Sequence, residues 1–265
     1  MIASTIRASM AWSFAVLAVG VALAGEIPDV LAKKLAEFQG AERGQTIPVT
    51  GEPVTRAFPS HLFYVLRFRQ YPVPWVPPEP LKTNNLFVVK PDGSVEHIRD
   101  TEALKGFFRA TLAPVRMEAQ AKGAVKAWLR LAQEFHQDGF FHFSIPDDSV
   151  IVAPVERGGH QVTGKAVVDP KGGNGGEILA SLTFDQAGTL VKVEETVDVK
   201  RGIRPICQAT KLLDPDPIVR GMAEQAILIM GQAAKGYLDE QRSRASPALQ
   251  QAIDRIWQQI LVEDR

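Results

Sequence analysis

The pattern of apolar and polar residues changes near residue 200. Between residues 61 and 200 most segments alternate with the period of two that is typical of strands. After Lys200 the apolar residues instead recur about every 3.6 positions, as they do along one face of a helix. The sequence therefore predicts an α+β body over 61–200, followed by an all-helical tail over 201–265.

The body is predicted to hold one antiparallel sheet that packs on two helices. A first strand over 62–69 precedes a hairpin over 86–98, whose turn is Pro91-Asp92-Gly93. Two amphipathic helices follow, over 101–112 and 119–137, and Asp100 is predicted to cap the first. The longer helix is the natural cover for one face of the sheet. Short turns then connect five strand-like segments into a predicted meander, over 140–145, 150–155, 161–168, 177–184 and 189–199.

The N-terminus is predicted to be a signal peptide that ends at residue 24. It consists of a basic residue, Arg7, an apolar run over 10–24, and the cleavage motif Ala22-Leu23-Ala24. The run has about fifteen residues, whereas a span needs about twenty, so a retained membrane anchor is the less favoured alternative. We therefore expect export to the periplasm or the cell exterior. Residues 25–60 are expected to form a short helix and then a loosely ordered leader rich in Gly, Pro and Thr.

Composition and charge exclude several classes of function. The chain has 30 basic and 30 acidic residues, and loss of Arg7 with the signal peptide leaves 29 and 30. Such a balance provides no positive field to attract nucleic acid, so we expect no nucleic-acid partner. No later stretch is apolar enough to predict a membrane span. Cys207 is the only cysteine, which rules out an intrachain disulfide and favours a small buried apolar role.

The tail carries a motif that resembles a HEAT repeat. Asp214-Pro-Asp-Pro-Ile-Val-Arg220 and the apolar helix that ends at Gly231 resemble the first helix of such a repeat, which commonly opens D-P-D-P-x-V-R. The segment 233–238 resembles the second helix, so the resemblance covers about 55 residues, or one and a half units. Because HEAT-like arrays typically bind proteins, it implies a protein partner for the tail. Helices are predicted over 205–213, 218–230, 233–244 and 247–262.

The order of elements in the body is similar to that of another group of proteins. From Leu62 to Lys200 it resembles the helix-wrapped antiparallel sheets of cystatin-like, NTF2-like and PepSY-like proteins. This resemblance implies a fold and no particular activity. Cystatin-type inhibition would need a Q-x-V-x-G hairpin, and Gln161-Val-Thr-Gly164 has the wrong spacing for it.

No metal site, cofactor site or phosphate-binding loop is predicted. The glycine-rich segment 172–176 is followed by Glu177 and Ile178, where a phosphate loop would have Lys and Ser or Thr, so it is predicted to be a hairpin tip. The histidines show no pair at metal-ligand spacing. They are His61, His97, His136, His142 and His160.

Glu195 is the one candidate catalytic residue. A buried carboxylate is costly unless it is paired, and desolvation of a carboxyl group is one way in which proteins create a general acid. The structural alternatives are a β-bulge, or an arginine partner such as Arg201 or Arg204. On the predicted last strand, Glu195 shares its face with four valines, namely Val191, Val193, Val197 and Val199.

Three functions are compatible with these observations. The lack of catalytic signatures and the repeat-like tail favour an exported, non-enzymatic protein-binding or scaffold module. One alternative is a small-molecule-binding or hydrolytic protein with a pocket between sheet and long helix that contains Glu195. The other is a structural component of the cell envelope. The oligomeric state is not predicted.

Cleavage of the signal peptide gives a direct test of the predicted export. When the full chain is expressed in a host with a general secretion pathway, mass spectrometry of the exported protein is expected to show an N-terminus at Gly25. A substitution of Ala24 by a bulky charged residue should block this cleavage. An exported form that begins at Met1 would contradict the prediction and favour a retained anchor.

Overall fold

A computed structural model describes residues 27–68, 75–82, 85–155, 158–170, 173–202 and 209–263. These residues form an α+β fold with antiparallel sheets and C-terminal helices, which confirms the predicted fold class. The residues of the predicted signal peptide, Arg204 and Cys207 lie outside the described residues. None of the helices in the described ranges is long and apolar enough to cross a membrane.

The first sheet has four antiparallel strands in sequence order. The predicted hairpin is confirmed, and its turn is stabilised by Asp92, whose Oδ1 accepts a hydrogen bond of 2.9 Å from the backbone N of Ser94. Gly93 adopts φ +80°, the left-handed conformation that favours glycine. The strands are β1 (Gln45–Pro48), β2 (Leu62–Arg67), β3 (Asn85–Val89) and β4 (Val95–Ile98).

The expectation of a loosely ordered leader over 40–60 is wrong. Helix α1 (Asp29–Leu35) is followed by β1, which pairs with β2 in the register Gln45↔Arg67, and by helix α2 (Glu52–Ala57). The many Gly and Pro residues of this stretch keep its helices and strand short but do not prevent them. Pro53, for example, lies in the first turn of α2, where a backbone N–H has no partner within the helix and its absence costs little. Buried apolar side chains, including Phe58, then hold the stretch on the core.

Both faces of the first sheet are covered. In β2, Phe63 and Val65 point into the main core, whereas Tyr64 and Leu66 point to the opposite side. There α1 and the segment 75–82 form a smaller core with the sheet. Its buried residues are Leu31, Leu35, Ala41, Tyr64, Leu66, Phe68, Leu81, Phe87 and Val89.

The second sheet corrects two parts of the prediction. It is separate from the first, and its first two strands do not pair with each other. Both pair with the same edge of the next strand, in the registers Phe143↔Val168 and Ile151↔Thr163, because a 3-10 turn over 147–149 carries the chain onward along that edge. The remaining strands form the predicted meander. The five strands are β5 (Phe143–Ser144), β6 (Ile151–Pro154), β7 (His160–Val168), β8 (Gly175–Phe184) and β9 (Leu190–Lys200).

Helices α3 (Thr101–Thr111) and α4 (Glu118–Ala132) contribute to one core with both sheets. The predicted cap of α3 is confirmed, since Asp100 accepts a hydrogen bond of 2.8 Å from the backbone N of Ala103. Helix α4 approaches β7 closely at Gly164, where an added Cβ would lie 3.3 Å from Leu129 Cδ1. The buried residues of α4 are Ala121, Ala124, Val125, Ala127, Trp128, Leu129, Leu131 and Ala132.

The tail consists of three helices after a short 3-10 helix over 209–213: α5 (Pro217–Met230), α6 (Lys235–Ser243) and α7 (Pro247–Glu263). These three confirm the helices predicted from periodicity, while the predicted helix over 205–213 is described from residue 209 only. Asp216 caps α5 by accepting a hydrogen bond from the backbone N of Ile218 at 2.8 Å. Arg220 Nη1 donates to the carbonyl oxygens of Asp214 and Pro215, at 2.6 and 3.0 Å, and so closes the turn before the helix.

The tail has its own core, to which the body contributes Phe140. The side chain of Asn174 stabilises this junction, because Nδ2 donates to the carbonyl oxygen of Phe140 at 2.9 Å and Oδ1 accepts from the backbone N of Gly202 at 3.1 Å. Asn174 is buried, and so is Phe140. The tail is therefore docked on the body through a buried contact.

His97 lies on β4 between the first sheet and α1. Its ring stacks on Phe87 with centroids 4.5 Å apart, and its Nε2 lies 2.7 Å from Oδ1 of the buried Asn85. Burial, assisted by the positive charges of Arg99 and Lys34, lowers the pKa of His97 to about 4. In the unfolded chain the pKa of a histidine is about 6.5.

We therefore expect the free energy of unfolding to fall as the pH drops from about 6.5 towards 4. The unfolded state binds a proton at His97 in this window and the folded state does not, so folding loses about 1–2 kcal/mol after partial solvent screening. Urea titrations at pH 7 and pH 5 measure this loss, and His97→Gln should reduce it because the amide does not titrate. An equal loss in the variant and the wild type would contradict the assignment.

Candidate functional site

Glu195 lies where β9 faces helices α3 and α4, as the sequence predicts. It pairs across the sheet with Ala180, which is buried in the main core, so its side chain points towards the helices. The Glu195 side chain is only 6% exposed. A carboxylate in such a position needs hydrogen-bond donors from the surrounding elements.

Three donors surround this carboxylate. Trp128 Nε1 of α4 lies 2.8 Å from Glu195 Oε2. Thr101 Oγ1, at the start of α3, and His136 Nε2, just after α4, each lie 3.3 Å from Oε1. An ionised carboxylate has about four acceptor sites, and three are used here. Glu195 thus connects β9 to both helices.

The valines predicted to share the face of Glu195 do not all do so. A β-bulge places Leu190 opposite Phe184 and Lys192 opposite Thr183, which leaves Val191 without a partner on β8. Val191 is 50% exposed, and its predicted position on the inner face is wrong. The bulge lies before Glu195 and does not turn this residue away from the core.

The sequence also allows an arginine partner for Glu195. Arg201 instead pairs with Asp138, with Nε and Oδ2 3.5 Å apart. Asp138 also accepts a hydrogen bond of 3.0 Å from the backbone N of Phe140, so this pair belongs to the junction with the tail. The partners that the structure shows for Glu195 are therefore a tryptophan, a threonine and a histidine.

Glu134 is another buried carboxylate, and the sequence did not predict it. Glu134 is 1% exposed and is hydrogen-bonded to Arg67 of β2 and to Arg130 of α4, whose Nη1 lies 3.0 Å from Oε1. Arg130 also donates from Nε to the carbonyl oxygen of Thr50 at 3.2 Å. One signal for this network was present in the sequence, because Arg67 shares the inner face of β2 with Phe63 and Val65. An inward arginine in an apolar strand requires an acidic partner.

Buried polar groups from both sheets thus meet near the C-terminal end of α4. Arg67 reaches it from the first sheet and Glu195 from the second. Glu134 is enclosed by its ion pairs. The three donors of Glu195 surround its carboxylate, so little room is left for a substrate. This arrangement favours a structural role for both carboxylates, in which they fix the sheets on the helices.

The histidines lie in separate environments rather than in one site. His61 packs edge-on against Phe107 with centroids 5.7 Å apart, His97 contacts Asn85, and His136 contacts Glu195. Across the described ranges, no group of three or more His, Cys, Asp or Glu side chains is arranged to hold a metal ion.

A different surface presents apolar side chains to solvent. On α5, Ile218 is 71% exposed and Met222, four positions later, is 69% exposed. Leu213, just before the helix, is 43% exposed. Residues four apart lie on the same face of a helix, so Ile218 and Met222 form a narrow ridge, called here the α5 stripe. The opposite face of α5, with Ala223, Ile227 and Met230, is buried in the tail core.

Comparisons of the chain with protein-family models, curated proteins and solved structures found no significant match.

Replacing Glu195 with Gln tests its structural role. An amide has one acceptor oxygen, and its NH2 group would face a donor, so we expect the free energy of unfolding to fall by about 1–3 kcal/mol. Chemical denaturation measures this change. Glu194→Gln is the matched control, since this neighbour is 55% exposed and should change stability by less than about 0.5 kcal/mol. Equal stability of the two variants would show that the three hydrogen bonds contribute little.

Proposed function

We propose that the protein is an exported, non-enzymatic module that binds another protein through the α5 stripe of its helical tail. The observation that supports this most strongly is the exposure of Ile218 and Met222 on a helix whose other face is already buried. Neither side chain stabilises the tail core, and adjacent exposed apolar residues are typical of interaction surfaces.

The shape of the stripe favours a helical partner. Two side chains four positions apart form one ridge along α5, and a ridge of this kind fits the groove between side chains of another helix. The unbranched thioether side chain of Met222 can adapt to the surface that it meets. The partner should therefore present an apolar helix or a groove of helical width.

The charges beside the stripe favour a basic margin on that partner. Asp216, the N-cap residue of α5, is exposed and precedes Ile218 by two positions. The one basic residue of α5, Arg220, is held by the carbonyl oxygens of Asp214 and Pro215. The carboxylate of Asp216 at this end of the stripe disfavours an anionic membrane surface and complements a Lys or Arg residue at the edge of a partner helix.

The resemblance of the tail to a HEAT unit supports the same proposal, because HEAT-like helices typically bind proteins. The hydrolytic alternative has less support, since Glu195 is enclosed by three donors. A structural role in the envelope differs in one measurable respect: the protein would then fractionate with insoluble envelope material.

A double variant of the stripe tests the proposal. Ile218→Ser with Met222→Ser removes the ridge, and Ile151→Ser on β6 removes an apolar side chain that is 62% exposed elsewhere. Proteins cross-linked to the wild type in the native exported fraction are identified, and the binary complex is then rebuilt from purified components. We expect the stripe variant to bind at least about tenfold more weakly, and the Ile151 variant to bind like the wild type.

Two outcomes would overturn the proposal. One is a wild-type protein that gives no reproducible partner whose complex can be rebuilt. The other is a partner that binds the folded stripe variant and the wild type with the same affinity. Circular dichroism shows whether the variant retains its helices, which is expected because both replaced side chains lie outside the core.

A further inference from the structure

A surface cleft of about 410 Å³ lies on the body, at one end of the second sheet. Its walls come from three segments, namely the residues before α4, the start of β7 and the turn between β8 and β9. This volume is within the range of small-molecule sites, about 300–1,000 Å³. The lining residues are Val115, Arg116, Gly159, His160, Asp185, Gln186 and Ala187.

The walls of the cleft are held by close backbone contacts. The N–H of Val115 donates to the carbonyl oxygen of Gly188 at 2.8 Å, and Gly188 at φ +83° has no room for a side chain, because a Cβ would lie 2.4 Å from Val115 O. A Cβ at Gly159, with φ +103°, would lie 2.2 Å from the carbonyl oxygen of Phe184. Both contacts require glycine, so the three walls are fixed relative to one another.

The backbone of Arg116 is also fixed. Gln120 Oε1 accepts hydrogen bonds from the backbone N of Arg116 at 2.8 Å and of Met117 at 3.1 Å. Arg116 lines the cleft and is exposed, and in the described part of the chain its guanidinium group forms no ion pair with an acidic side chain. Its nearest acidic neighbour in sequence, Glu118, is paired with Lys122 at 2.7 Å.

The other polar groups define what could bind beside Arg116. His160 is another residue that lines the cleft. Asp185 accepts a hydrogen bond of 2.8 Å from the backbone N of Thr189 with Oδ1. Its second carboxylate oxygen can accept from a ligand, since an ionised carboxylate has about four acceptor sites. The cleft therefore combines a cation suited to an oxyanion with an acceptor suited to a hydroxyl group.

We infer that this cleft binds a small ligand that carries a carboxylate or phosphate group together with a hydrogen-bond donor. The Arg116 guanidinium binds the oxyanion, with two parallel N–H donors available for it, and Asp185 accepts from the donor. His160 lies beside the oxyanion. This site is on the body and is independent of the proposed protein-binding stripe on the tail.

Titrations of the purified mature protein test the inference. Glycolate and inorganic phosphate each carry an oxyanion and a hydroxyl group, whereas acetate lacks the hydroxyl group. At constant ionic strength, NMR chemical shifts should show saturable binding of glycolate or phosphate, with the largest shifts at the cleft residues. Acetate should bind more weakly than glycolate. The arm that saturates at lower concentration distinguishes a carboxylate from a phosphate ligand.

Variants identify the groups responsible. Arg116→Gln should weaken binding about tenfold or more, as expected for loss of a charged hydrogen-bonded contact, and His160→Gln should weaken it less. Arg255→Gln is the matched control, because Arg255 is an exposed arginine of α7 without an ion pair in the described residues. This control, and the double variant of the α5 stripe, should bind the probes like the wild type.

The inference is overturned if neither glycolate nor phosphate binds saturably, or if Arg116→Gln and Arg255→Gln weaken binding equally. The second result would indicate nonspecific attraction by surface charge. If acetate binds as tightly as glycolate, the role assigned to Asp185 is wrong. None of these results depends on the α5 stripe, so the failure of one proposal leaves the other standing.

Discussion

Burial of helix α4 against the second sheet on one side and helix α2 on another is the constraint on which the rest of the body depends. Val125 and Leu129 pack against β7 at Gly164. The buried alanines of α4 allow other elements, such as α2, to approach the helix closely. A helix covered on two faces has few places for polar side chains, and Lys122 and Lys126 occupy a strip that stays partly exposed. Any other polar group near α4 must find a partner inside the protein.

Glu134 and Glu195 satisfy this requirement in different ways. Glu134 receives charged donors from Arg67 and Arg130, whereas Glu195 receives Trp128 and two weaker contacts at 3.3 Å. Because each network joins α4 to a different sheet, together they fix the helix relative to both sheets. Apolar packing is tolerant of small shifts, and directional hydrogen bonds are not.

Local signals in the sequence account for the parts of the fold that were predicted correctly. The cap at Asp100, the turn at Gly93 and the helical period after Lys200 each depend on neighbouring residues, and the structure contains all three. The separation into two sheets and the pairing of β1 with β2 depend on contacts between distant residues, which periodicity does not encode. The same reason explains Glu134, whose partner Arg67 is 67 positions away. The inward position of Glu195 could be predicted from the alternation within one strand, but its donors come from α3, from α4 and from the segment just after α4.

Phe140 belongs to the body in sequence but to the tail in packing. It follows α4 in the chain, yet its side chain is buried with Ile227, Met230 and other residues of the tail helices. The unit defined by packing is therefore discontinuous in sequence, although the change of periodicity suggests a simple boundary near residue 200. A fragment that begins near residue 200 would lack Phe140, which belongs to the core of the tail. A fragment that ends there would expose Phe140 to solvent.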